Sequence, residues 1–403
     1  MQNMSDINQI AIVGPVFGAW GKYLNMNLLF LGDLHNAPTT INEGCDITKY
    51  LDNLFSNVTN KTDFYIEAPY RTMDIKAKPY LDDIDKCGYL RKLKAMFHDC
   101  LYYKDTKYNK NVRFHYIDIR FRYQCRWDAP KQDSTDFYWF VGMSAYIEYI
   151  IIKMRRILIE FSKTMSHTED NLNFISHVKY FIDKFFGTDT TVNHVEFLRV
   201  WMTSDNYYQD IEYYVNKLIP DNFRENDILT RWLRDDLMVK RRNKIMSKGR
   251  AQLEALENEN QKYIADKIVK FILEEQQQIN IEEIHRYIKK IEKFCVNITK
   301  MDKDNIVDYI DKKINRLSRF YVYNQRTIVD VYLLGRLFRF NNPDNPVINK
   351  IVFAGLAHID LYTRFFKSLG VKIIENGTSN IEAIQIHNDD NIKKCINIDN
   401  NIL

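Results

Sequence analysis

The sequence predicts an α/β protein with a mainly parallel sheet flanked by helices and a large helical insertion in the middle of the chain. Two observations lead to this prediction. Near both ends of the chain, short apolar runs alternate with segments of helical spacing, as in parallel strands joined by helices. Between them glycine and proline become rare: no proline occurs between Pro130 and Pro220, and neither residue occurs between Gly249 and Gly335. With 13 glycines and 8 prolines in 403 residues, the composition also excludes collagen-like and proline-rich disordered proteins.

The N-terminal half of the α/β domain is predicted to span residues 1–136. Its first strands lie within 8–35, where a turn containing glycine and proline and ending near Gly21 separates two apolar runs. Two helices with one apolar face follow, each before a further apolar run that ends at a charged residue. The predicted elements are strands at 10–13 and 27–31, a helix at 46–57, a strand at 63–67, a helix at 84–102 and a strand at 112–118.

Residues 137–320 are predicted to form the helical insertion, because this region is long, charged and periodic. Ile264, Ile268 and Ile272, for example, repeat on one helical face. The C-terminal half of the α/β domain, 321–403, returns to the alternating pattern. We expect hinges near 187–192, 219–226 and 247–250, then a helix at 325–339, a strand at 350–354, a helix at 360–369, a strand at 371–374 and a polar, peripheral tail of about 25 residues.

Charge and targeting signals narrow the class of protein. The 57 Lys and Arg residues nearly balance the 53 Asp and Glu residues, so the net charge of +4 does not favour a nucleic-acid partner. No secretory signal is visible, and the most apolar stretch, 137–152, is shorter than the ~20 residues that a membrane span needs. The six cysteines form no Cys-x-x-Cys pair, which favours an intracellular, cytoplasmic protein. Abundant Asn, Ile, Lys and Tyr are typical of AT-rich coding, as in large DNA viruses or some protists. For a viral protein, the host cytoplasm or the virion is expected.

Two segments share one local pattern, an apolar strand that runs into Gly-x-x-His. The first contains Gly32 and His35, and the second contains Gly355 and His358. In a chain with 13 glycines and 9 histidines, fewer than two such pairs are expected by chance. A glycine at the carboxyl end of a parallel strand lets the chain turn, and the following histidine then lies in the crevice where α/β sheets bind ligands. If both strands are central, the two histidines converge; otherwise they are two histidines with no joint role.

Carboxylates at the same strand ends are candidates for this crevice. Glu67 follows the apolar run 64–66 and is costly to bury unpaired, so it is either solvated or partnered by a histidine, an arginine or a metal. Asp33 lies two residues before His35, where it could orient the histidine or act as a second acid. The sequence therefore favours a site that combines histidines with carboxylates.

Other charged pairs are weaker candidates. Asp118 and Arg120 end the strand predicted at 112–118. Arg326 and Asp330 lie four residues apart on the helix before the second Gly-x-x-His, and therefore share a face. That pair either joins the site or is an ordinary ion pair within the helix.

These motifs, in this order, resemble those of the Tiki/TraB and erythromycin-esterase/ChaN-like superfamily. The segment Gly32–His35 is similar to the first motif, in which an acidic residue often follows the glycine, and Glu67 matches the glutamate at a strand end. The helix that carries Arg326 resembles the arginine-containing helix, and 354–358 is similar to the second motif. The resemblance covers about 28–120 and 320–375 and leaves 137–320 uncovered.

The resemblance implies a hydrolase, peptidase-like or esterase-like, with a His/Glu/His site at the sheet edge. In a Tiki-type site, His35, Glu67 and His358 would hold a divalent ion (Mn, Co or Zn) that activates water and polarises a carbonyl. In an erythromycin-esterase-type site no metal is needed. His35 would then be the general base, held by Asp33 or Glu67, and Arg326 or His358 would stabilise the oxyanion. Both versions stay open, and the substrate is unknown.

The sequence also allows three functions other than this hydrolase. A member of the same fold without catalysis would act as a structural or interaction protein. The basic segment 231–250, with Trp232 interleaved, would suit a nucleic-acid binder, although a solvated helix face is the favoured interpretation. Asp33-x-His35 also begins the calcineurin-like phosphoesterase pattern, but the Gly-Asn-His and Gly-His-x-His motifs of that class are absent from the sequence.

Overall fold

The computed structural model of the chain describes two compact units, Met1–Ile119 with Leu333–Leu403, and Arg120–Tyr332. His35, Arg120 and the hinges predicted at 187–192 and 219–226 lie outside the residues that it describes. Those residues are 9–34, 45–69, 88–103, 107–108, 110–119, 121–123, 137–139, 194–218, 236–256, 261–277, 289, 293, 326–339, 346–377 and 395–399.

The described elements are numbered here in chain order. The strands are β1 Gln9–Val13, β2 Phe17–Tyr23, β3 Met26–Asp33, β4 Cys45–Asp46, β5 Thr62–Pro69, β6 Val112–Asp118, β7 Phe121–Tyr123, β8 Phe137–Trp139, β9 Asn349–Gly355, β10 Ile373–Gly377 and β11 Cys395–Asp399. The helices are α1 Ile47–Asn57, α2 Tyr89–Met96, α3 His98–Tyr102, α4 His194–Thr203, α5 Tyr207–Leu218, α6 Asp236–Glu254, α7 Lys262–Gln277, α8 326–339 and α9 Leu356–Ser368.

The first unit is built on a six-stranded sheet with the order β10-β2-β3-β9-β5-β6. The four strands β3, β9, β5 and β6 run parallel to one another, whereas β2 pairs antiparallel with both β3 and β10. The C-terminal strand β9 lies between β3 and β5, so residues from both ends of the sequence form the centre of one sheet. The predicted α/β class with a mainly parallel sheet is confirmed.

The two faces of this sheet carry different helices. On one face, here the α1 side, alternate strand residues such as Leu31 and Phe64 pack with α1, α2 and α3 around Phe55. On the other face, the α9 side, Phe30 packs against Tyr362 and Phe366 with ring centroids 6.3 and 5.6 Å apart. Alternation of side chains along each strand explains why consecutive residues such as Phe30 and Leu31 serve opposite faces. Helices therefore cover both faces, as a parallel sheet requires.

Gly32 permits a close approach between β3 and α9. A Cβ atom at this position would lie 3.0 Å from Leu356 Cδ1 and 3.4 Å from Leu356 Cα. The glycine of the first Gly-x-x-His motif is therefore explained by the contact of α9 with β3, where any side chain would push the helix away. This close packing also fixes the position of the first turn of α9, on which His358 lies.

Several predictions for the first unit were wrong. The turn expected to reach Gly21 is instead part of β2, which pairs along its whole length with β3. The helix predicted at 360–369 begins at Leu356, directly after β9. The tail predicted to be peripheral contains β11, which pairs antiparallel with β1 and places Ile396 fully in the core.

In the second unit the described residues form the helices α4 to α7 and the antiparallel pair β7–β8, with part of α8. The hinge predicted at 247–250 was wrong, because α6 continues through it. Because Gly249 has no side chain, the Trp201 ring can pack directly against it; a Cβ atom there would lie 2.8 Å from Trp201 Cζ2. Among the described residues of the chain, no helix is long and apolar enough to cross a membrane.

Candidate functional site

The carboxyl ends of β3, β9 and β5 meet at one edge of the sheet. The helix after β9, α9, packs on one face, whereas the helices that follow β3 and β5, α1 and α2, pack on the other. Neighbouring parallel strands whose helices lie on opposite faces leave a crevice between them, and α/β proteins bind ligands at this position. The topology therefore directs attention to the residues at the ends of these three strands.

Glu67 and His358 are brought together at this edge. Glu67 is near the end of β5, and His358 is the third residue of α9. Glu67 Oε1 lies 3.9 Å from His358 Nε2, and the two residues are only 7% and 6% exposed. Because a buried carboxylate requires compensation, a histidine at this distance is a natural partner.

The other oxygen of Glu67 is held by the backbone. Gly355 N–H donates to Glu67 Oε2 at 2.8 Å, and Gly355 is the N-cap residue of α9. The N-terminus of a helix carries a partial positive charge and favours a carboxylate beside it. The carboxylate is therefore anchored through one oxygen, while the second faces the imidazole.

His358 contacts a second residue of its own helix. Tyr362, one helical turn further on, places its hydroxyl oxygen 3.5 Å from His358 Nδ1, at the long limit of a hydrogen bond. The two rings stack with an interplanar angle of 22°. Tyr362 is fully buried against Phe30, so the tyrosine limits how far the imidazole can rotate.

Asp33 lies at the same sheet edge but on the α1 side. Its Oδ2 accepts a hydrogen bond from Leu90 N–H at 3.1 Å and so satisfies one of the unpaired N–H groups in the first turn of α2. The strand alternation gives Asp33 the same direction as Leu31, away from the α9 side where Glu67 and His358 lie. The predicted action of Asp33 on His35 stays a prediction, since His35 lies outside the described residues.

Arg326 and Asp330 form the ion pair expected within α8, with Arg326 Nε 3.3 Å from Asp330 Oδ2. Both are buried, and both belong to the second unit. The role of Arg326 at an oxyanion stays a prediction. Asp118 is buried at the end of β6, beside β5 in the first unit.

Glu67 and His358 provide the right donor types for a divalent metal. Two ligands at about 2.1 Å in a tetrahedral site lie roughly 3.4 Å apart, somewhat closer than the 3.9 Å found here. Two protein donors do not complete such a site. Among the described residues no group of three or more His, Cys, Asp or Glu could hold a metal, and the predicted third ligand, His35, is not one of those residues.

A second polar cluster, at the amino ends of the same strands, was not predicted from the sequence. Asp63 and Lys350 are both fully buried, with Lys350 Nζ 2.8 Å from Asp63 Oδ2. Arg113 donates to both oxygens of Asp63, at 2.7 and 2.9 Å, and Tyr65 O–H donates to Oδ2 at 3.0 Å. The strand register places Lys350 and Arg113 directly opposite Asp63 on its two neighbouring strands. One carboxylate therefore joins three neighbouring strands, β9, β5 and β6.

His115 extends this cluster to Arg336. Arg336 Nη2 donates to His115 Nδ1 at 3.0 Å, so Nδ1 is the acceptor and Nε2–H donates to Asp63 Oδ1 at 3.0 Å. The imidazole is therefore neutral. Burial lowers the pKa of His115, although Asp63 opposes this effect. Burial alone would raise the pKa of Asp63, but the hydrogen bonds from His115 and Arg113 and the charge of Lys350 hold it well below its usual range.

We expect the first unit to lose stability as the pH falls from about 7.5 to about 5, partly through His115. Its folded-state pKa lies below the unfolded value, so its contribution is complete above the unfolded pKa and is lost as the pH falls. The charged and titratable groups facing it are Asp63, Tyr65, Arg113 and Arg336. One group changes the free energy of unfolding by at most about 1.4 kcal/mol per pH unit.

The variant His115→Gln isolates this contribution, because glutamine keeps a donor and an acceptor but does not titrate. Urea unfolding across this pH range should show the wild-type advantage over His115→Gln shrinking as the pH falls. An advantage that is the same at every pH would show that His115 is not held neutral.

Comparison with family models, with curated proteins and with solved structures finds no match to this chain.

Proposed function

We propose that this protein is a hydrolase, of the peptidase-like or esterase-like kind, in which Glu67 and His358 act together and His35 is the third member of the site. The observation that carries the proposal is the buried Glu67–His358 pair, 3.9 Å apart at the carboxyl ends of parallel strands. Structural ion pairs also occur in proteins. This pair, however, lies where α/β sheets bind their ligands, and it combines a base with a group that can orient it.

The proposed chemistry begins with a water molecule held by the pair. For a water oxygen at about 2.8 Å from both Glu67 Oε1 and His358 Nε2, the angle between the two contacts at the water would be roughly 90°. One water molecule can therefore donate one hydrogen bond to each of the two atoms. His358 Nδ1–H would then donate to the hydroxyl oxygen of Tyr362, so that Nε2 is the unprotonated nitrogen, which takes the proton as water attacks a carbonyl. Glu67 stabilises the resulting imidazolium, and its own charge is supported by Gly355 N–H.

The same two atoms suit the metal-dependent version of the site. Glu67 Oε1 and His358 Nε2 would hold a divalent ion together with His35, and such an ion, when bound, would supply Lewis-acid activation of water. Tyr362 and Gly355 would keep their roles, since each orients a ligand through its other polar atom.

The proposal is tested by assaying the full-length protein on p-nitrophenyl esters and on fluorogenic peptides. The assays are run after treatment with EDTA and after addition of Mn, Co or Zn. We expect turnover of at least one substrate class, lost in Glu67→Gln. Activity that survives EDTA favours the metal-free version. No turnover with or without metal would contradict the proposal and favour an interaction protein of the same fold.

A further inference from the structure

The second unit carries a row of lysines on the solvent face of α6. Ile245, Met246 and Leu253 are buried and define the inward face of this helix. At 100° per residue, Lys240 and Lys244 lie on the opposite face, and both are exposed. Neither lysine forms an ion pair within the part of the chain that the structure describes. The row continues in sequence to Lys248, one further turn along the helix.

Acidic residues of α6 lie at its two ends, Asp236 and Glu254, and none occurs in the sequence between Lys240 and Lys248. Glu254 is engaged by Arg250, with Nε 3.3 Å from Oε1. The row therefore offers positive charge along about 12 Å of helix. A surface of this kind fits a partner with regularly spaced negative charges.

An exposed aromatic ring lies beside this row. Tyr208 of α5 is 42% exposed, and its hydroxyl hydrogen-bonds Ser247, the residue before Lys248. Ser247 in turn donates to Asn243 carbonyl at 2.6 Å, so the tyrosine is tied to α6 through a fixed hydroxyl. Its ring also packs on Tyr207, with centroids 4.1 Å apart. A held, exposed aromatic ring next to lysines is the combination that binds single-stranded nucleic acid.

We infer that the face formed by Lys240, Lys244, Lys248 and Tyr208 binds single-stranded nucleic acid, the lysines contacting phosphates and the tyrosine stacking on a base. An anionic membrane is the less suitable partner. A helix that lies on a membrane needs large apolar side chains beside its cations, whereas Ile245, Met246 and Leu253 are buried in the unit. The charge is local, which explains how it occurs in a chain whose net charge is only +4.

The test measures binding of full-length protein to a fluorescent 20-nucleotide single strand of mixed sequence, to the same sequence as a duplex, and to phosphatidylserine vesicles. With about three phosphate contacts, affinity for the single strand should fall roughly 20-fold between 50 and 200 mM salt. Lys240→Glu/Lys244→Glu should weaken binding at least about tenfold, and Tyr208→Ala should weaken it several-fold. Tyr208→Phe keeps the ring but loses the hydrogen bond to Ser247, and should weaken binding less than Tyr208→Ala does.

The matched control is Lys262→Glu/Lys270→Glu, which makes the same change in net charge at exposed positions of α7. Thermal melting establishes that each variant is folded. Loss of binding in the α6 variant but not in the control supports the inference. The inference is overturned by absence of binding at 50 mM salt, by equal loss in both double variants, by equal affinity for the duplex, or by binding to vesicles alone.

Discussion

Replacing His358 with alanine is expected to slow hydrolysis by roughly 10²–10⁴-fold, the usual contribution of a general acid or base. The imidazole is the group that faces the buried oxygen of Glu67, and Tyr362 restrains its ring. Removing the imidazole leaves Glu67 anchored by Gly355 but takes away the group that we propose as the base. The loss is expected in kcat, measured on whichever ester or peptide the wild-type protein turns over.

The control for this variant is His98→Ala. His98 is as buried as His358, but it belongs to α3 on the α1 side of the sheet, where it pairs with Asp99. Its removal costs some packing and should leave kcat within about threefold of wild type, because it supplies no acid–base group to the site. If His98→Ala and His358→Ala lowered kcat equally, general destabilisation would explain both results.

Replacing Asp63 with asparagine is expected to lower the free energy of unfolding by about 3–5 kcal/mol, the cost of breaking a buried ion pair from one side. Lys350 is fully buried and would lose the carboxylate that accepts its hydrogen bond, while Arg113 and His115 would lose the acceptor that they share. Burial already lowers the pKa of Lys350, and Asp63→Asn removes the carboxylate that opposes this effect. The measurement is urea unfolding at neutral pH.

Two further variants separate the ion pair from other effects of the mutation. Asp63→Leu/Lys350→Met removes both charges, and we expect it to be clearly more stable than Asp63→Asn because no uncompensated charge stays buried. Asp266→Asn removes an exposed carboxylate in α7 and should change stability by less than about 0.5 kcal/mol. A double variant as unstable as Asp63→Asn would mean that packing, rather than charge, dominates at this position.

The sequence predicted the central strands well, because each is a short apolar run bounded by polar residues. It failed where tertiary packing decides the structure. β2 contains two glycines and looks like a turn, yet it pairs with β3 and β10 on both sides. Gly249 looks like a hinge but accommodates Trp201 inside a continuous helix. β11 forms in a polar tail because β1 offers it an antiparallel partner.

The candidate site was predictable only in part. Glu67 and His358 stood out because each closely follows an apolar run, and strand ends converge in a parallel sheet. Asp33 does not join them and instead accepts a hydrogen bond from Leu90 N–H. That donor is a backbone group, and no sequence motif reveals it. Asp63 and Lys350 were missed because charges at the starts of apolar strands look solvated. Their meeting depends on a register between strands almost 290 residues apart in the chain.

The central claim is that Glu67 and His358 act as one catalytic unit. It is tested most directly by a double-mutant cycle on kcat/KM with Glu67→Gln, His358→Ala and the combined variant. Residues that act as a unit are strongly non-additive, so the account predicts that the double variant is about as slow as the slower single variant. Losses that multiply in the double variant would contradict it, because two independent residues behave in that way.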